Sequence, residues 1–197
     1  MINKVTSTRG RFIRILAVAL GLSALSSCGF TLSSDDGDAS RGETSKKHRT
    51  IVGAENAGGL KRDRDHEMLK KVSVDPGKVT KDSTVVVTAY TGEQAADPIL
   101  FVGEADIPES TAERREYLYG QLIPLLSQES AGKRPEAHAV DAGTLGGSVE
   151  CMMVDPKREN SICGWADSHT TGVAVIPDMK LDEAGRLFAS MRADIEK

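Results

Sequence analysis

The sequence predicts an α+β fold, a mainly antiparallel sheet covered by two helices, preceded by a signal segment and a disordered tether. Three observations carry that expectation. Six short runs rich in β-branched and apolar residues fall within residues 81–197, and two stretches with helical periodicity interrupt and close them. Residues 1–80 hold no comparable pattern apart from one apolar run near the start. About 115 residues is an ordinary size for one domain, so the expected organisation is a signal segment over 1–27, a tether over 28–80 and a domain over 81–197.

The elements follow in order. Residues 84–90, Thr-Val-Val-Val-Thr-Ala-Tyr, are β-branched and long enough for a buried strand. A second strand over 99–103 follows a loop containing Asp97-Pro98. Ser110 with Glu113 has the spacing of a capping box, in which each end of the motif satisfies a backbone N–H of the other. The helix it opens carries Tyr117, Leu118, Leu122, Leu125 and Leu126 on one side, and Pro124 should kink or shorten it. Four further strands are expected over 138–141, 148–154, 161–166 and 171–176. In the last helix Leu181, Ala184, Phe188, Met191 and Ile195 recur at three- and four-residue spacing, with Leu187 widening the stripe. Leu145-Gly146-Gly147 lacks the Lys-Ser or Lys-Thr of a phosphate loop and reads as a turn that needs a permissive backbone.

Residues 1–27 hold Lys4, Arg9, Arg11 and Arg14 and no acid, then the 13-residue run 15–27, too short to span a bilayer comfortably. That is the pattern of an export signal. Its end, Leu25-Ser26-Ser27-Cys28, resembles the lipobox of bacterial lipoprotein precursors. The resemblance implies that Cys28 receives a diacylglycerol through its thiol and becomes the new N-terminus, with two or more acyl chains giving stable anchoring on the extracytoplasmic face of the cell membrane. Two other readings of the same residues stand beside it: an ordinary secretory signal cut near the serines, and an uncleaved helix extending back through Phe12. From Gly29 to about Lys81 the composition is that of a linker, with Asp35-Asp36-Gly37-Asp38, Lys46-Lys47, Gly58-Gly59 and Lys61-Arg62-Asp63-Arg64-Asp65, and too little apolar surface to offset its ordering entropy. Glu67 to Lys71 is the one helical turn expected there.

Charge excludes some functions. Residues 81–197 carry 11 bases against 20 acids. Such a surface repels phosphate backbones and anionic headgroups, which argues against nucleic-acid binding and against membrane docking by charge.

With Cys28 assigned to lipid, two cysteines remain, and an even remainder in an exported protein reads as one disulfide. Cys151 and Cys163 lie on consecutive strands, and a turn centred near Lys157 sets them opposite each other. A zinc site would need further ligands at short spacing, but His48 and His66 fall in the tether and the chain has no Cys-x-x-Cys. Around this pair, Leu145-Gly146-Gly147-Ser148-Val149-Glu150-Cys151, Cys163-Gly164-Trp165-Ala166-Asp167, a Gly-Val-Ala-Val strand and a closing helix with Asp182-Glu183-Ala184 near its start resemble a group of actinobacterial, membrane-anchored extracytoplasmic proteins. The resemblance covers roughly the last 115 residues and departs at Met152-Met153, where a small residue such as Gly is expected. It implies an exported domain and assigns no catalytic residue.

Asp167 and His169 are a close acid and imidazole pair inside the expected domain, and at i, i+2 they could share a proton or bind a metal. Ser168 lies between them without a Gly-x-Ser-x-Gly elbow. The plainer reading is a solvent-exposed hairpin turn in which Asp167 caps its own backbone. Trp165, the sole tryptophan, reads as core beside a disulfide rather than as a ligand platform, and Met152, Met153, Met179 and Met191 as core or edge filling. The sequence calls for no cofactor. Its expected role is a lipid-anchored, non-catalytic module that meets an envelope protein or polymer. The alternative is a carrier or sensor holding a small apolar molecule or acyl chain in a cavity between sheet and helices. An enclosed cavity of several hundred Å³ favours the carrier, and a filled core with an exposed apolar patch favours the module.

Overall fold

The computed structural model describes residues 48–126 and 134–197. The expected export signal, Cys28 and the expected tether as far as Lys47 lie outside the described residues. Within them, eight strands form one sheet in the order β1 (Asn56–Ala57), β2 (Leu60–Asp63), β3 (Thr84–Gly92), β4 (Ala95–Ala105), β8 (Thr170–Ile176), β7 (Asn160–Ala166), β6 (Ser148–Asp155) and β5 (Ala137–Val140). Every neighbouring pair is antiparallel. Three helices accompany it, α1 (Glu67–Lys71), α2 (Thr111–Leu126) and α3 (Leu181–Ile195).

The sheet is covered on both faces, one long helix to each. Along β4 the pleat sends Leu100 and Val102 into a core with Leu118, Tyr119 and Leu122 of α2, and sends Ile99 and Phe101 into a second core with Phe188 and Met191 of α3. This explains why all seven residues of β7 and all seven of β8 are buried. A strand that faces apolar material on both sides has no solvent face to encode, so its sequence shows a continuous apolar run in place of alternation. The two helices expected to cover the sheet thus lie on opposite faces of it.

The capping box holds in part: Ser110 Oγ accepts the Glu113 N–H at 3.2 Å. The helix then continues through Pro124 to Leu126, where a kink or an earlier end was expected. Gly143, Gly146 and Gly147 all have positive φ (59°, 67° and 74°), so the turn before β6 does need the permissive backbone inferred for it.

The tether expected over 28–80 ends earlier than the sequence suggests. Residues 48–80 supply β1, β2 and α1; Ile51, Ala57 and Leu60 are buried, and β2 pairs along β3 from Lys61↔Thr91 to Asp63↔Ala89. The mixed-charge run that looked solvated is a short strand in which Leu60 is buried and Arg62 donates to Gly53 O at 2.7 Å and to Thr88 Oγ1 at 3.0 Å. The segment is closed onto the other end of the chain. Thr50 N donates to Lys197 O at 2.8 Å, Lys197 N returns to Thr50 O at 3.0 Å, and Val52 N donates to Ile195 O at 3.0 Å. No helix among the described residues is long and apolar enough to cross a membrane.

Candidate functional site

Cys151 of β6 and Cys163 of β7 stand opposite each other in register and are joined as a disulfide, with Cα atoms 4.0 Å apart. Both are fully buried on the α3 side of the sheet. Two residues along β7, Trp165 is also fully buried. Its ring stacks on Phe101 at 5.7 Å and packs against Phe188 at 5.4 Å, its Nε1 donates to Thr170 Oγ1 at 3.1 Å, and the Arg192 guanidinium lies 5.5 Å from its centroid. Gly172 is its register partner on β8, and a methyl there would stand 2.3 Å from Trp165 Cη2, so the indole occupies the space a side chain would take. Trp165 is core, as the plainer reading of the sequence has it.

Asp167 caps its own backbone: Oδ1 accepts the N–H of His169 at 2.8 Å and of Thr170 at 2.7 Å. The turn is not the exposed one expected, because the side chain is 5 % exposed and Oδ2 faces Arg49 Nη1 at 3.0 Å and Arg192 Nη2 at 3.5 Å. Burial pushes the Asp167 carboxyl up, but the hydrogen bond shared with Glu196, the two turn amides and Arg49 outweigh it and hold it well below the usual carboxylate range. Burial, then the bond to Asp167, push Glu196 up against the pull of Arg192, whose Nε donates to Glu196 Oε2 at 2.6 Å. Of the two acids, Glu196 takes up a proton first.

The imidazole of His169 is not brought onto Asp167. It packs on the ring of His48, centroids 4.8 Å apart, and His48 Nε2 lies 2.8 Å from Asp106 Oδ1. His48 therefore belongs to the domain rather than the tether, as does His66, whose Nδ1 caps α1 by accepting the Met68 N–H at 3.1 Å. Ser168 is exposed, and none of its atoms is bonded to an imidazole among the described residues. Within that same set no group of three or more His, Cys, Asp or Glu is placed to hold a metal. The sequence-selected trio thus separates into a core indole, a structural carboxylate and a half-buried ring.

Sequence reasoning missed a second buried charge group. Glu104 of β4 and Arg114 of α2 are both fully buried, with Arg114 Nε 3.4 Å from Glu104 Oε2, and neither Glu104 oxygen accepts a hydrogen bond. Burial dominates over the attraction of Arg114 and pushes the Glu104 carboxyl up to about 7. The available signal was an acid inside the apolar run Ile99-Leu100-Phe101-Val102-Gly103-Glu104-Ala105.

The interlayer spaces on both faces are occupied by these cores. Three concavities among the described residues open to the surface. The most apolar is a groove of about 480 Å³ between α1, the end of α2 and the β4/β8 edge of the core, lined by Met68, Val72, Pro98, Leu100, Leu125 and Val175. Leu125, 53 % exposed, forms its outer lip.

Fold and site together define a disulfide-bonded α+β domain with a closed, two-sided core and grooves at its surface. Compared with protein-family models, curated proteins and solved structures, the chain has no match in any of the three.

Proposed function

We propose that this protein is a lipid-anchored, non-catalytic interaction module of the cell envelope, held on the extracytoplasmic face through Cys28, and that the apolar groove beside Leu125 is the surface that meets its partner. The observation that carries this reading is the groove itself: on a domain whose two cores are filled, Leu125 and its neighbours leave apolar surface in water, where association recovers the free energy of burying it. The buried Cys151–Cys163 bridge supports the oxidising compartment, since such bonds persist outside the reducing cytosol. Filled cores give a carrier of enclosed acyl chains less support than an interaction module, because such a carrier needs a cavity that excludes water around its ligand.

The test places a photo-crosslinking residue at Leu125, and separately at the exposed Ser190 on α3, in the full-length chain expressed in its own membrane. The proposal expects one discrete protein or polymer adduct from position 125, lost when Val72→Glu charges the groove and absent from position 190. Equal adducts from both positions overturn it, and an acyl chain or small apolar molecule retained through purification replaces it with the carrier. Metabolic labelling with a palmitate analogue should mark the wild type and not Cys28→Ala; equal labelling of both ends the anchor.

A further inference from the structure

The two edges of the sheet are treated differently. At one edge β1 is two residues long and packed under α3, with Ala57 fully buried and Gly58 N donating to Asp194 Oδ2 at 2.8 Å. At the other, β5 runs in unbroken register from Ala137↔Met152 to Val140↔Val149. Its sequence, Ala-His-Ala-Val, carries no proline and no Lys, Asp or Glu, its ladder has no bulge, and no other strand among the described residues pairs with its outer side.

The direction of its free backbone groups follows from the disulfide pair. Cα atoms 4.0 Å apart mark Cys151↔Cys163 as a non-hydrogen-bonded pair of the β6–β7 ladder. Residues of a central strand turn their N–H and C=O alternately to the two neighbours, so those of Cys151 point at β5 and bond its register partner His138. By the same alternation the N–H and C=O of Ala137 and Ala139 point away from the sheet.

Beside this edge lies a groove of about 430 Å³ between β5 and α3. Gly185 keeps it open, since a methyl there would come within 3.1 Å of Val140. Its rim is acidic: Asp141 and Asp182 line it and Glu183 follows Asp182 in sequence, against Arg186 as the one Lys or Arg among its lining residues. Asp182 makes no ion pair or hydrogen bond with another described side chain.

We propose that the free edge of β5, with the groove beside it, takes an extended, basic segment of a partner protein as a ninth strand. The outward N–H and C=O of Ala137 and Ala139 supply the main-chain bonds, and a Lys or Arg on the inward face of the added strand enters the groove toward Asp141 and Asp182. This surface is separate from the groove beside Leu125, so either site can fail without the other.

The test uses the full-length chain with two labelled probes, acetyl-Lys-Val-Lys-Val-Lys-Val-amide and its Glu counterpart, followed by fluorescence anisotropy and by hydrogen–deuterium exchange. The lysine probe should bind at least tenfold more tightly than the glutamate probe and slow exchange within residues 134–142. Ala139→Pro removes an N–H that the β5–β6 ladder does not use, and should cut binding at least tenfold with an unchanged melting temperature. Should that variant fail to fold, Asp141→Lys with Asp182→Lys should reverse the preference between probes. Equal affinity for both probes, no detectable binding of either, protection beside Leu125 instead of β5, an unreversed preference, or a dimer pairing β5 with a second copy would each overturn the proposal.

Discussion

Replacing Glu104 by Gln should stabilise the protein above neutral pH, although it removes one partner of a buried ion pair. Two effects oppose each other. Breaking a buried pair typically costs about 3–5 kcal/mol when it strands the remaining charge. Here Arg114 keeps other partners, because its Nη2 lies 2.5 Å from Glu109 Oε1 and donates to Lys78 O at 2.7 Å, and its buried Nε and Nη1 make no hydrogen bond even with Glu104 present. The Glu104 carboxylate, in contrast, has lost its water and accepts no hydrogen bond. Its titration moves from 4.5 to about 7, and the ionised group therefore costs the fold about 3 kcal/mol. Between those values the unfolded chain has released a proton that the folded chain keeps. Stability from this group is accordingly intact below about pH 4.5, declines as pH rises towards 7, and is flat above. Urea unfolding of wild type and Glu104→Gln at pH 4, 6 and 8 measures it, and taking the difference cancels the titrations of Asp167 and Glu196 common to both proteins. The variant should match the wild type at pH 4 and exceed it by about 3 kcal/mol at pH 8. A variant that is less stable at pH 8, or a difference independent of pH, would refute the reasoning and make the pair with Arg114 a net stabiliser.

Cys151→Ala with Cys163→Ala should lower stability by about 2–3 kcal/mol, the loop-closure contribution for a short loop, read by thermal melts after non-reducing mass analysis confirms the bridge in the wild type. Gly172→Ala should cost about 1–3 kcal/mol because its methyl meets the Trp165 ring. Gly120→Ala, with no atom within 4 Å and inside α2, should gain about 0.5–1 kcal/mol from helix propensity, and equal melting temperatures for the two variants would contradict both assignments. Limited proteolysis should leave a stable fragment starting close to His48; early cutting within residues 56–63 would return the boundary to Lys81.

The central strands were legible because the sequence states their environment redundantly. Residues 84–90 are apolar or β-branched over their whole length and 148–154 and 161–166 over most of theirs, and each forms a strand within a residue or two of the expected ends. The strand expected over 99–103 extends from Ala95 to Ala105, since hydrogen bonding to β3 and β8 continues past the apolar run. Residues 48–80 were illegible for the opposite reason. β1 and β2 are two and four residues long, below the length at which periodicity exceeds noise. Their order depends on partners more than 25 residues away, as in Arg62 with Thr88, or at the far end of the chain, as in Gly58 with Asp194. Composition suggests disorder when the apolar residues are few, but Ile51, Ala57 and Leu60 suffice here because α3 and β3 supply the rest of their packing.

The same distinction between local and distant partners explains the candidate site. Asp167 and His169 were singled out because two residues separate them, yet neighbours on a tight turn point their side chains differently once one of them satisfies the turn's own N–H groups. The groups that do approach Asp167 come from both ends of the domain: Arg49 before β1, Arg192 and Glu196 at the close of α3. Together with the backbone bonds from Thr50 and Val52 to Ile195 and Lys197, they tie the first described residues to the last. An acid within the turn of a conspicuous motif thus anchors the domain's own ends. The surfaces proposed for a partner are ones in which no single residue is chemically unusual, the apolar lip at Leu125 and the outer edge of β5. They became visible only when the fold showed which apolar side chains and which main-chain groups had no neighbour among the described residues to satisfy them.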